Sequence, residues 1–252
     1  VQERGCDTAP LRHVAMPGYR LYKSAVAGAT GRIGKALTRQ LLLSPLCEEA
    51  HIVARRKVGF PELAASAKLR HHVADFGADV CGLQASALKG VDAAFCLLGA
   101  RSGWSNETDV VAVERDAVLR FARLCEAAGI PHLSLLSSAW ADPSRALPFA
   151  RVQGETVEAV AAMSFARISV FRPSAALGPD GRLEPGSGFL ANALWQSVPV
   201  AAQFLPNRYR PMALDDIVLA MRLNVELCDA SERVEMMDYR DMMMVIGKAA
   251  DI

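Results

Sequence analysis

The sequence has no excess of charge of either sign. Lys and Arg number 28 against 27 Asp and Glu, a formal net charge of +1. Such a balance lacks the basic footprint of a nucleic-acid binder. The six cysteines (6, 47, 81, 96, 125 and 228) include no CxxC pair. They read as free or buried thiols in a reducing compartment, which excludes a disulfide framework and a zinc site. His71 and His72 sit side by side in an expected strand, where neighbours point to opposite faces, so no metal is expected there. No apolar run is long enough to span a bilayer. Internal repeats and low-complexity segments are also missing. Lysine is absent between Lys89 and Lys248, and there are only four tyrosines: Tyr19, Tyr22, Tyr209 and Tyr239.

What is present is a chain of 252 residues, 52% apolar, enough for one large α/β domain or a domain with a small appendage. It begins at Val1, which fits either a cleaved organellar targeting peptide or a plain boundary.

The stretch Val26-Ala27-Gly28-Ala29-Thr30-Gly31-Arg32-Ile33-Gly34 organises the rest. It follows an apolar run and opens a helical pattern over 32–43. In a strand–turn–helix unit the first glycine makes the tight turn and the second lets backbone approach a pyrophosphate. The third lets helix and strand lie close, and the helix N-terminus offers its free N–H groups to the anion. A P-loop is disfavoured, because Ala36 follows Gly34-Lys35 where a magnesium-binding hydroxyl belongs.

The β-α alternation continues. Strands are expected at 21–27, 51–54, 69–76, 91–99, 132–138 and 166–172, and helices at 32–43, 107–128 and 149–163. This alternation predicts a doubly wound parallel sheet, a Rossmann fold, over 21–173. Residues 1–20 read as an irregular arm or a disordered tail. Residues 174–252 read as a C-terminal region packed on the core, with helices near 188–197, 213–227 and 240–250 and a strand at 233–238. Five of nine methionines fall between 236 and 244, and adaptable core filling is the expected role. The second strand ends in Arg55-Arg56-Lys57, where cations suit a 2′-phosphate and favour NADP(H) over NAD. Asp75 closes the third strand near the expected adenine.

Gly28-Ala29-Thr30-Gly31, Ala54-Arg55-Arg56-Lys57, Ala74-Asp75-Phe76, Phe95-Cys96-Leu97-Leu98-Gly99, Leu135-Leu136-Ser137-Ser138 and Ser169-Val170-Phe171-Arg172-Pro173 come in one order. In that order and spacing the chain resembles the atypical short-chain dehydrogenase/reductase family, and within it the Tat-interacting oxidoreductase branch. The resemblance runs over about residues 22–250. It implies an NADPH-binding Rossmann fold with a small C-terminal substrate region. By position it implies cofactor contacts from Gly28, Thr30, Gly31, Arg32, Ile33, Arg55, Asp75, Leu98, Gly99 and Pro173; the glycine spacing adds Gly34, the cation run adds Arg56, and the Gln153 amide suits a ribose hydroxyl.

The chain departs from that family at the proton-handling residues. Family enzymes use a serine, then a tyrosine and a lysine four residues apart on one helix face. The lysine lowers the tyrosine pKa, and the tyrosine exchanges the proton. Here Phe149 stands at the tyrosine position and Gln153 at the lysine position. Ser137 and Ser138 remain as residual candidates, and Asp142 would serve only with a raised pKa. No tyrosine lies near this helix in sequence. The expectation is therefore an NADP(H)-binding protein with a degenerate catalytic dyad. It would be a structural, accessory or regulatory subunit of a larger assembly, joined through the N-terminal arm or the C-terminal region. By fold-level analogy with the Rossmann-type accessory subunit of respiratory complex I, that assembly is mitochondrial, with a cytoplasmic setting as the alternative. A soluble, intracellular protein without nucleic-acid partners is expected. The competing expectations are a reductase of a carbonyl or activated alkene with a non-standard proton donor, and a sensor of the NADP/NADPH ratio.

Overall fold

A computed structural model describes residues 20–60, 66–76, 82–99, 107–179, 206–229 and 232–250. The expected arm before residue 20, the expected helix near 188–197 and part of the 77–89 connection lie outside them.

The chain alternates as its pattern requires. β1 (Tyr22–Ala27) leads into α1 (Arg32–Leu43), then β2 (Cys47–Ala54), β3 (Leu69–Val73) and β4 (Ala93–Cys96). A helical segment follows as α2 (Glu107–Val111), a π-helical turn (Ala112–Ala117) and α3 (Val118–Ala127). Then come β5 (His132–Leu136), α4 (Pro148–Ala161), β6 (Arg167–Phe171), β7 (Ala176–Leu177), β8 (Met212–Ala213), α5 (Leu214–Leu227), β9 (Val234–Met237) and α6 (Tyr239–Ala250).

Seven strands form one parallel sheet in the order β3-β2-β1-β4-β5-β6-β9. β7 and β8 make a separate parallel pair, which their two-residue length hid from the sequence pattern. The seventh strand, β9, comes from beyond residue 173 and extends the main sheet. Its attachment is charged: Arg167 on β6 donates to Glu235 on β9 at 3.0 Å, and both side chains are largely buried.

Both sheet faces are covered, so each strand sends alternate residues into two cores. On β4, Phe95 enters a core built with Leu37, Leu41, Ile217, Met221 and Met242 of α1, α5 and α6. Its neighbours Ala94 and Cys96 enter the opposite core, with Phe121, Ala122 and Val160 of α3 and α4. Burying each large apolar side chain contributes about 2–3 kcal/mol before chain entropy is set against it. The methionine cluster divides. Met237 and Met242 are buried, but Met236, Met243 and Met244 are exposed. Core filling therefore holds for two of the five, because the pattern of β9 and α6 turns the other three outward.

The order 3-2-1-4-5-6 places the reversal between β1 and β4. Sheets of this order take their ligands in a crevice at the carboxyl ends of the strands beside such a reversal, one half on each side.

Candidate dinucleotide site

The glycine loop fills the first position in that crevice. Gly28 has φ 89°, a conformation that L side chains rarely adopt. A Cβ added there would lie 2.3 Å from Leu97 O, in the segment following β4. Gly34, on the first turn of α1, meets the loop even more closely: an added Cβ would lie 2.2 Å from Gly28 O. Gly31 is different. An added Cβ would find only Gly28 O, at 3.4 Å. The protein itself leaves room beside Gly31, so no contact within the chain requires glycine there. Gly31 is also the N-cap of α1, without a side-chain cap. Thr30, Arg32 and Ile33 complete this turn. α1 thus begins beside the loop with a glycine N-cap, the arrangement in which helix N-termini take up a pyrophosphate.

One half of the crevice lies over β2 and β3. Arg55 and Arg56 follow β2 directly and are exposed, with Asp75 just beyond β3. The Ala74 N–H donates to Ala54 O at 3.1 Å, which holds the two strand ends side by side. Cations and carboxylate therefore stand at neighbouring strand ends.

The other half lies over β4, β5 and β6. Leu98 and Gly99 follow β4, Ser137 and Ser138 follow β5, and Pro173 follows β6. Its O accepts from the Ala139 N–H at 3.1 Å. The two serines, equivalent in the sequence, separate in space. Ser138 Oγ accepts from the Trp140 N–H at 3.0 Å, closing a local turn. Ser137 lines a small cavity with Leu98, Leu136, Glu114, Gln153 and Thr156.

α4 brings Phe149 and Gln153 to this end of the sheet. Its register is fixed by Gly154, where an added Cβ would lie 2.3 Å from Pro143 N. The Asp142 N–H donates to Ala150 O at 3.0 Å, pinning the loop after β5 to the first turn of the helix. Phe149 and Gln153 stand one turn apart on a common face. Gln153 is buried, and its Nε2 donates to Glu114 Oε2 at 2.9 Å. Its Oε1 has no partner among the described residues.

Glu114 is the residue that sequence reasoning missed. It belongs to the π turn, is 5% exposed, and its backbone O accepts from Thr156 Oγ1 at 3.0 Å. A charged residue inside an amphipathic helix reads as surface, so only the π turn could have flagged it; such turns recur at functional sites. Burial pushes the nearby Cys96 thiol up to about 12, and the Glu114 carboxylate adds to that rise. Cys96 is therefore an inert core thiol.

Two sequence alternatives change. Asp142 accepts from Ser144 Oγ at 2.6 Å and from the Ser144 N–H at 2.9 Å, and these bonds with Arg145 hold its carboxyl below the ordinary value. A donor needs the opposite shift, so Asp142 does not fit that role. Tyr209, far from α4 in sequence, is brought to the loop after β5. Its ring stacks on Trp140 at 4.8 Å, with Arg208 5.5 Å from the ring centroid. Among the described residues no cluster suits a metal ion and no helix is long and apolar enough to cross a membrane. His51 and His72 bond each other at 2.9 Å.

A cradle that needs glycine, a helix N-terminus without a side-chain cap and an orphaned buried amide oxygen fit a dinucleotide. The comparisons agree. The chain matches the NAD(P)H-binding family over residues 28–174. It is 35% identical over 174 residues to the protein HTATIP2 of Rattus norvegicus, covering 69% of this chain and 70% of that one. It is 28% identical over 189 residues to the mitochondrial protein FMP52 of Coccidioides immitis, covering 70% and 76%. A short chain dehydrogenase family protein from Francisella tularensis superposes with a TM-score of 0.61 at 12% identity, over 88% of this chain and 99% of that one. MoeE5, solved with UDP-glucuronic acid and NAD, superposes with a TM-score of 0.60 at 17% identity, over 90% and 82%. The structures carry the fold, the family match and the HTATIP2 relative carry the kinship, and together they make this chain a member of the NAD(P)H-binding family.

Proposed function

We propose that the chain binds NADP(H) without the standard proton relay of its family and serves as a structural or regulatory subunit of a larger assembly. One observation carries the reading. The helix position that should exchange a proton is Phe149, and the position that should tune it is Gln153, whose amide is directed to Glu114. A phenyl ring has no proton to exchange, and an amide has no charge to shift a pKa. Arg55 and Arg56 after β2 support the phosphorylated nucleotide. The name of the FMP52 relative supports a mitochondrial setting. The residues holding the nucleotide in this reading are Gly28, Thr30, Gly31, Arg32, Ile33 and Gly34 at the pyrophosphate, Arg55, Arg56 and Asp75 at the adenosine, and Leu98, Gly99, Gln153 and Pro173 at the nicotinamide.

Sizing the protein purified from its native source tests the assembly role. Elution within a larger complex is expected, and a free monomer or dimer contradicts it. A second reading, a reductase with an unorthodox donor, is favoured only by Tyr209, the phenol that folding brings to Trp140. Reduction of a carbonyl or activated alkene by NADPH, abolished by Tyr209→Phe, is the result that would select it.

A further inference from the structure

We propose that Arg172 and Arg208, with Trp140 and Tyr209 beside them, form a binding site for a small organic oxyanion, a carboxylate or phosphate joined to an apolar body. The site is separate from the glycine loop, and it stands whether or not the chain holds a nucleotide.

Its frame is the loop that follows β5 at the carboxyl end of the sheet. Three carbonyls of this loop accept from two guanidiniums. Arg172, the first residue after β6, donates from Nε to Ser138 O at 3.3 Å and from Nη2 to Ala141 O at 2.9 Å. Arg208, from the segment before β8, donates from Nη2 to Ala139 O at 3.3 Å. Residues distant in sequence thus bring two cations to one short stretch of backbone. Arginine keeps its charge throughout the pH range of a folded chain. Burial, and after it the Arg208 charge, pull Arg172 below the ordinary arginine value, so the two guanidiniums act on each other.

Among the described residues, both are oriented by backbone carbonyls and not by ion pairs. Asp142 and Asp238 also act on Arg172. Each is held elsewhere, Asp142 by Ser144 and Arg145, and Asp238 by the N–H groups of Arg240 and Asp241. The Nη1 groups of Arg172 and Arg208 have no acceptor among the described residues. Guanidinium forks fixed in this way match the oxygens of a carboxylate or phosphate, and charge-assisted bonds are the strong ones.

The apolar part of the ligand has a surface beside them. The Arg208 guanidinium lies 5.5 Å from the centroid of the Tyr209 ring, and that ring stacks on Trp140 at 4.8 Å. Trp140 is pinned through Nε1, which donates to Ser174 O at 3.3 Å, yet it stays 37% exposed. A fixed aromatic pair open to solvent next to two arginines suits a molecule with one charged and one apolar end.

Calorimetric titration of the full chain with phenyl phosphate, at one fixed ionic strength, tests this. Wild type should bind it, with benzyl alcohol, an uncharged ring compound, at least about tenfold weaker. Inorganic phosphate, which lacks the ring, should be about fivefold weaker. Arg208→Gln keeps a donor for Ala139 O and removes the charge, and should weaken phenyl phosphate binding about tenfold or more. Arg208→Lys restores the charge and should hold binding within about fivefold of wild type. Arg172→Gln should weaken binding as Arg208→Gln does, which covers the case in which one of the two does not fold. Absence of binding in wild type, or binding that survives both glutamine substitutions, overturns the proposal, and the arginines then only staple the loop. Binding that falls with Arg55→Ala and Arg56→Ala but not with Arg208→Gln also overturns it, because the anion then sits at the other end of the sheet. Inorganic phosphate binding as tightly as phenyl phosphate overturns the apolar half.

Discussion

Gln153 on α4 donates a 2.9 Å hydrogen bond to Glu114 on the π turn, 39 residues earlier in the chain. This bond orients the amide. A carboxylate accepts only from the NH₂ end, so Gln153 Oε1 must face away from Glu114 and seek a donor elsewhere. A buried acceptor without a partner costs about 1–3 kcal/mol, which a ligand hydroxyl would recover on binding. Gln153→Leu removes the orphaned acceptor together with the donor to buried Glu114, so it should cost about 1–3 kcal/mol in denaturant unfolding and weaken NADPH binding about tenfold, measured by titration of nucleotide fluorescence.

The glycine loop separates folding from binding. Gly34→Ala sets a methyl 2.2 Å from Gly28 O, a backbone atom that cannot swing aside. A loss of about 3 kcal/mol or more is expected in denaturant unfolding. Gly31→Ala meets nothing closer than 3.4 Å and should cost under about 1 kcal/mol of stability. Yet the methyl stands where the nucleotide must approach, so binding should fall by about tenfold or more. Equal effects of the two substitutions on stability would contradict this division.

Arg55 and Arg56 decide which dinucleotide is taken. Replacing both by Ala should weaken NADP⁺ binding by about tenfold or more, through lost charge-assisted contacts, and leave NAD⁺ binding within about twofold. Parallel losses for both nucleotides would remove the 2′-phosphate assignment.

His132 gives the fold an acid limit. Burial, helped by Arg167, pulls its pKa down to about 3, and its Nε2 bonds Ser169 Oγ at 2.9 Å. The unfolded chain takes up this proton near pH 6.5, while the native state refuses it. Stability is therefore full above about pH 6.5 and falls by roughly 1.4 kcal/mol per pH unit as pH drops toward 3. His132→Gln should flatten the slope of unfolding free energy against pH by about one proton.

The sheet was legible because two periods dominate the sequence. α1 runs over Arg32–Leu43, as expected, since Ile33, Leu37 and Leu41 repeat on one face and Ser44-Pro45 stops it. The glycine loop was legible because its spacing is set by backbone contacts. β7 and β8 were not, because two residues carry no period. Glu114 and Tyr209 were not, because a π turn and a distant loop deliver them, and neither is a matter of local spacing.

In the proposed function the nucleotide is held and not spent by the family's relay. Fluorescence of NADPH bound to the wild-type chain, followed over time with aldehydes, ketones and quinones added in turn, tests it most directly. The signal of bound, reduced nucleotide should persist with every compound, and Phe149→Tyr combined with Gln153→Lys should introduce a decay with at least one of them. Steady, multiple-turnover decay with the wild-type chain would contradict it.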